Sequence, residues 1–458
     1  MAEGHRSRRV ASLLAPSALS AAMALTMTLM PAPAAAQSTG AEVAAAVDGI
    51  APRLVELRHD LHRNPELSNR ETRTAGVVAR ELRRLGLEVR EGIAHTGVVG
   101  ILRGGKPGPV VGVRADMDAL PVTEETDLAF RSTVRTEYLG RETGVSHACG
   151  HDIHVTVALG TAEVLAARKA DLAGTVVFIF QPAEEGAPAG EEGGAPLMIA
   201  EGVLNDPAPQ VLIALHTNGD PPEAGGDFQR VGKLSYTPGP HYASSTTWRA
   251  RIVGRQAHGA TPHLGVDAVV TAAEVVTALQ TITSRTLSPF ETAVLTVGVL
   301  RAGDRHNIVA GTAELAGTIR TFDDSVTGTI KQRMHDIMAG VTAAAGAEFE
   351  LEFEETNPVT ANDSALARRL GPVLERVVGP ENVGIAPPRT GAEDFAYFSR
   401  LVPSFLFKLG VVPEGKVSGG HHTPTFLADD AAIPIGVRAM TLVVLEALAS
   451  GGAANHDG

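Results

Sequence analysis

Apolar positions in the first half of the chain recur in two rhythms. Ile50, Leu54, Leu57 and Leu61 follow one another at three- and four-residue steps, the spacing of one helix face, and Pro65 ends the run. Short β-rich apolar runs come next, at 110–114, 175–180 and 210–215, with helical patterns at 151–167 and 196–201. Strand alternating with helix predicts an α/β fold, a mostly parallel sheet flanked by helices.

The rhythm changes near Ser244. Residues 246–253 alternate apolar and polar, as an exposed antiparallel strand does. A helical pattern at 265–285, strand patterns at 293–300 and 312–320, a second helix at 324–344 and an alternating stretch at 348–354 follow. That order predicts two helices covering one face of an antiparallel sheet. After Pro358 the first pattern returns, with a strand at 404–409 and a closing helix at 433–449. The expectation is a discontinuous larger domain, 45–243 and 357–450, interrupted by a small α+β domain at 244–356, with a disordered tail at 451–458.

A length of 458 residues suits two or three domains. Aromatic residues make up only 4%, so aliphatic side chains must fill the cores. The net charge of -13 argues against a nucleic-acid partner, since phosphate binding needs clustered Lys and Arg. A single cysteine, Cys149, rules out a disulfide within the chain.

The N-terminus reads as an export signal over 1–36. Arg6, Arg8 and Arg9 precede an apolar stretch at 10–30, and Ala34, Ala35 and Ala36 stand before Gln37. The alternative is an anchor that stays attached; Ser12, Ser17, Ser20, Pro31 and Pro33 favour cleavage. Ser7-Arg8-Arg9 leaves the Sec and twin-arginine routes both open. With no other run of about 18 apolar residues apparent, the mature chain is expected to be periplasmic or secreted, without a membrane partner.

Four segments carry candidate chemistry. Asp116 and Asp118 lie at alternate positions where a strand ends. His147, Cys149, His151, Asp152 and His154 crowd into eight residues, a metal-ligand composition with Gly150 allowing a tight backbone. The helix starting near His151 would favour the Cys149 thiolate. Glu184 and Glu185 follow a β-run directly; in extended chain neighbours point opposite ways, so one glutamate could bind metal while the other serves as base. His421 and His422 lie in a Gly-rich loop, and His216 closes a strand. Alone each of these histidines reads as structural, but together with one thiolate and one glutamate they suit two transition-metal ions.

These segments are similar to those of the aminoacylase/carboxypeptidase metallopeptidase family, in its hippurate hydrolase and indoleacetyl-amino-acid hydrolase branch. The matching stretches are LRHDLHRNPELS from Leu57, RADMDALP from Arg114, HACGHDIH from His147, QPAEEG from Gln181, AHGATPHLGVD from Ala257, HNIVAGTAELAGTIRTF from His306, GAEDF from Gly391 and HHTP from His421. Asp116 and Cys149 carry the branch assignment. The resemblance implies a zinc-exopeptidase-like catalytic domain with an inserted α+β lid that often mediates dimerisation, as a homodimer or homotetramer.

It also implies two divalent ions, Zn or Mn, on Cys149, His151, Glu185, His216 and His422, with His421 as the alternative to His422. Glu184 falls on the general base and Asp118 on the acid that orients a ligand histidine. His258 falls on the lid histidine that polarises the scissile carbonyl, and Asn307 and Arg320 on lid positions that hold the substrate's carboxylate. The implied activity is metal-dependent amide hydrolysis of N-acyl amino acids or short peptides. The other readings are a cysteine nucleophile at Cys149 and a catalytically silent metal-site relic that binds small ligands; retention of Glu184 opposes the relic. Three features depart from the family pattern: the longer acidic loop at 186–194 with Glu191 and Glu192, His241 with Tyr242 in the hinge, and the doubled His421.

Overall fold

The structure is a computed structural model that describes residues 34–222 and 228–451. Its main sheet follows the β/α alternation, and among the described residues four of its seven strand pairs are parallel. The eight strands run in the order Glu88–Ile93, Gly97–Arg103, Ala173–Gln181, Lys106–Asp116, Val211–Asn218, Ser404–Gly410, Leu234–Tyr236, Val383–Ile385. Only the four central strands form a continuous parallel block. Antiparallel Gly97–Arg103 and Glu88–Ile93 flank it on one side; on the other, Leu234–Tyr236 pairs antiparallel with Ser404–Gly410 and parallel with Val383–Ile385, so the sheet is mixed. The central strands are buried on both faces, which is why they read as unbroken apolar runs.

Helices cover this sheet. The helix Ala34–Arg63 buries Val43, Val47, Leu54 and Leu61, and also Arg58. His151–Ala167 is buried almost throughout its length and packs against Ala432–Ala449. That last helix is long and apolar enough to cross a membrane by composition, contrary to the expectation of no second apolar run, yet 67% of it is buried inside the protein, as suits a core helix. The helices Thr72–Arg84 and Ser364–Val378, not read from the sequence, are amphipathic and bury Val77, Leu82, Leu366 and Leu370. Of the proposed signal at 1–36, residues 1–33 lie outside the described residues, and Ala34–Ala36 open the first helix; of the proposed tail at 451–458, residues 452–458 lie outside them.

A second, four-stranded sheet is built wholly from residues between Ser245 and Asn357. Its order is Ala293–Ala302, Thr312–Thr321, Ser245–Val253, Glu348–Asn357, all antiparallel. Ser245–Val253 is therefore an inner strand; its alternation reflects one covered face and one bare face. The helices Ala268–Thr281 and Asp324–Ala345 cover the first face and enclose Trp248, Ile252, Val275, Leu279, Ile330 and Met334. Each helix starts on an aspartate that accepts backbone N–H groups, Asp267 from Val269 and Val270, and Asp323 from Ser325.

Candidate metal centre

The C-terminal ends of the central parallel strands converge on a cleft of about 820 Å³. Open α/β sheets place their ligands there. Cys149, Glu184, Glu185, His216, His421, His422 and Arg320 all line it. The Cys149 sulfur lies 3.6 Å from His216 Nε2 and 3.6 Å from His421 Nδ1. His151 Nε2 lies 3.8 Å from Glu184 Oε2 and 3.9 Å from Glu185 Oε1, and Glu185 Oε1 lies 3.1 Å from His422 Nε2.

Backbone geometry aims these groups. Gly150 sits at φ 85°, just before the helix His151–Ala167; a Cβ there would meet Thr217 Oγ1 at 2.7 Å, while Thr217 donates to the Cys149 carbonyl. His422 holds φ 62°, sparsely populated for a residue with a Cβ, and its amide donates to the Ala148 carbonyl.

The two glutamates are not in extended chain, as the sequence reading assumed. They form a turn after Gln181, with Ala183 at φ 52°. Both side chains consequently reach the same histidine, and their surroundings separate them instead. Glu185 stands with Cys149 and His422, whereas Glu184 stands with Glu393 and Asp394. Two buried acids hold the turn: Glu71 accepts from Ala183 N at 2.9 Å, and Asp118 accepts from Glu184 N at 3.1 Å and Glu185 N at 3.0 Å.

The second nitrogen of each imidazole shows what the first can do. His151 Nδ1 donates to the Asp118 carbonyl at 2.8 Å, and His216 Nδ1 donates to the Thr217 carbonyl at 2.7 Å. Their Nε2 atoms are therefore the ones left for an ion, His216 with a lone pair and His151 once its proton is displaced, and His151 Nε2 has no hydrogen-bond partner among the described residues. His154 differs, since Nδ1 donates to Asp116 at 2.5 Å and Nε2 accepts from Thr217 N, which leaves nothing for an ion. His421 Nε2 accepts from Gly219 N at 3.1 Å, so its Nδ1–H faces the sulfur as a donor. His422, whose Nε2 meets Glu185 Oε1 and stands near the Cys149 sulfur, is the freer of the pair among the described residues.

Electrostatics favour a cation here. Burial, then Glu185 and Glu184, push the Cys149 thiol well above its usual range, overriding the helix N-terminus invoked from sequence and opposing a free thiolate nucleophile. Burial pulls His151 down, but Asp116 and Asp118 carry it up to about 10. Burial, Glu393 and Glu185 push Glu184 well above the carboxylate range. A thiol, a carboxylate and imidazole lone pairs in a negative field match the donor set of transition metals, and a divalent ion would reverse the shift at Cys149.

Other sequence candidates lie elsewhere. The His147 ring turns toward His62, centroids 6.3 Å apart, and joins none of the ligand groups. Asp152 accepts from Arg58 at 3.0 Å and His62 at 2.9 Å, which accounts for the charged positions in the segment from Leu57. The Asp118 carboxylate is 3.4 Å from His151 Nδ1, farther than its own carbonyl, and serves mainly the glutamate turn. Glu191 in the acidic loop is bound to Arg70 and Asn69. His258 and Asn307 lie on an exposed two-stranded antiparallel ribbon of the small domain, its strands about 50 residues apart in sequence, and do not line the cleft. Arg320 does, half-buried, its side chain making no hydrogen bond among the described residues.

Sequence reading missed Lys408, Asp220 and Arg389. Arg389 donates to Asp220 at 2.6 Å and Asn218 at 3.2 Å. Lys408, with its ammonium 4.7 Å from the Tyr242 ring centroid, is pulled down to about 7 by burial and by Arg389. Its one signal was a lone charge inside the apolar run Ser404–Gly410.

Comparison with known proteins gives a consistent picture. The model of peptidase family M20/M25/M40 matches residues 112–446. Thermostable carboxypeptidase 2 of Saccharolobus solfataricus is 34% identical over 396 residues, covering 86% of this chain and 95% of that one. N-acetylcysteine deacetylase of Bacillus subtilis is 32% identical over 400 residues, covering 86% and 98%. Among solved structures, the YXEP protein of Bacillus subtilis, a dinuclear metal-binding peptidase, superposes with a TM-score of 0.73 at 29% identity, over 88% of this chain and 99% of that one.

Proposed function

Since the chain belongs to peptidase family M20/M25/M40, whose members here are metal-dependent amidohydrolases and peptidases, we propose that it cleaves N-acyl amino acids or short peptides to release an amino acid. The observation that carries this reading is the convergence of Cys149, His151, Glu185, His216 and His422 beside an unengaged Glu184 and a cleft that also holds Arg320. Those five residues would hold two divalent ions, zinc or manganese, which supply an activated water and a Lewis acid.

Glu184 takes the proton from the attacking water and hands it to the departing nitrogen. Two cations beside it would offset its raised proton affinity and favour the ionised form a base needs. Asp118 and Glu71 keep its turn in place. Arg320 offers a fork to the α-carboxylate of the leaving amino acid. His258 and Asn307 contribute after the small domain closes, or from a second copy, and their distance from the cleft supports a homodimer or homotetramer built through that domain. The basic and apolar N-terminus supports export to the periplasm or beyond. The silent-relic reading has no support, because Glu184 is retained beside the ligand set.

The test is amino-acid release from N-acetyl, N-benzoyl and indoleacetyl amino acids, after chelation and again with added Zn²⁺ or Mn²⁺. Each substrate is paired with its α-amide and run with wild type and Arg320→Ala. Activity should vanish on chelation and return with metal. The acid should be preferred over the amide, and Arg320→Ala should cost the acid alone roughly 2–4 kcal/mol of transition-state binding, the scale of truncating one partner of a desolvated charge pair. Equal slowing of both substrates removes Arg320 as the anchor.

A further inference from the structure

Three oddities of the sequence meet at one wall of the cleft. His241 and Tyr242 from the hinge, His421 from the doubled histidine, and Lys408 from the apolar strand pack around Asp220 and Arg389. Lys408 pairs in register with His216, so its side chain rises on the same face of the sheet as that candidate ligand. The ring of Tyr242, under the Lys408 ammonium, is 6.3 Å from the ring of His216. This wall is thus contiguous with the metal centre, and Arg320 comes to the same cleft from the small domain.

The charges on the wall do not cancel. Arg389 and Asp220 are paired, Arg389 Nη1 donating to Asp220 at 2.6 Å. Lys408 is left over. It is only 2% exposed, it lines the cleft, and its ammonium makes no hydrogen bond among the described residues. A buried amine that makes no hydrogen bond, beside an Asp220 already engaged by Arg389 and by His421 N, is costly to hold as a cation unless an anion arrives.

We propose that Lys408 is a specificity residue that receives a carboxylate on the acyl side of the substrate, so that the preferred substrates are N-acyl amino acids whose acyl group is itself acidic. The inference rests on the amide-hydrolase reading and extends it. One unmatched positive charge suits a carboxylate better than a phosphate, which brings nearly two negative charges. The substrate then carries two carboxylates, one facing Arg320 and one facing Lys408, with the scissile amide between them over the metal ligands.

The experiment compares N-succinyl and N-butyryl derivatives of one amino acid, with metal-loaded wild type, Lys408→Met and Lys408→Arg. Methionine keeps the bulk and removes the charge. Wild type should favour the succinyl substrate in kcat/KM, and Lys408→Met should collapse that ratio roughly 10–100-fold, mainly through KM, as loss of a charged hydrogen bond does. Lys408→Arg should retain most of the preference. Calorimetric titration with succinate, which needs no turnover, should show weaker binding to Lys408→Met than to wild type by a similar factor. An unchanged ratio, or equal succinate affinity, overturns the assignment. Hydrolysis of neither substrate, with succinate binding still lost in Lys408→Met, instead sinks the amide-hydrolase reading and leaves the anion site standing.

Discussion

The carboxylate of Glu71 accepts the backbone N–H of Ala183 at 2.9 Å, and this bond fixes a residue in the left-handed region next to the glutamate pair. Glu71 is fully buried and also accepts from Asn69 N and Thr96 Oγ1. Glu71→Ala leaves Ala183 N and Asn69 N without a partner, at about 1–3 kcal/mol for each buried group left unmade. Metal content should persist while kcat falls by at least about tenfold, because a shift near 1 Å at a catalytic group costs that much or more. Elemental analysis beside steady-state kinetics checks it; normal kcat in a folded variant removes the positioning role.

The glutamates should separate by readout. Glu184→Gln is expected to keep its metal and lose roughly 10²–10⁴-fold in rate, the contribution of one proton-transfer group. Glu185→Gln is expected to bind metal more weakly, since Glu185 meets Cys149 and His422. The opposite pattern exchanges their roles.

The doubled histidine makes a similar division. His422→Ala should lower metal content. His421→Gln should keep most of it, because the ring of His421 is spent on Gly219 N and on the Cys149 sulfur. Metal lost only from the His421 variant reverses the assignment.

His62 supplies a pH dependence. Burial pulls its proton affinity down, but Asp152 and Glu124 lift it to about 9 from 6.5. The folded value exceeds the unfolded one, so the stabilisation is complete below pH 6.5 and fades as pH rises through 9. Wild type should lose on the order of 2–3 kcal/mol more than His62→Gln between pH 6 and pH 9.5, measured by urea unfolding at matched metal. Taking the difference between the two proteins cancels the pH dependence of metal binding. Parallel profiles show that His62 does not titrate in this window.

Much of this was legible in the chain because period and spacing are local. The strand end at Asp116, the helix opening at His151 and the closing helix all show as patterns within about 20 residues. Gly150 announced its tight backbone before the structure gave it a positive φ. What stayed hidden depends on partners far along the chain. His154 looks like a ligand until Thr217 N is found on its second nitrogen, and Lys408 looks like a stray charge until Tyr242 and Arg389 surround it. The turn at Glu184 escaped because a non-glycine residue at positive φ gives no compositional sign, and it exists only because Glu71 and Asp118 brace it.

The discontinuity of the larger domain sets a clock on its assembly. Cys149 and His421 touch across 272 residues of sequence, and the strand Ser404–Gly410 sits beside Val211–Asn218 near the middle of the sheet. At about 5–20 residues per second, a ribosome leaves the first ligands waiting roughly 14–54 seconds for the last. During that interval the whole small domain is made, and the early half of the sheet exposes the bare edge of Val211–Asn218. A nascent or translocating chain therefore cannot close the metal centre until the segment carrying His421 and His422 has emerged.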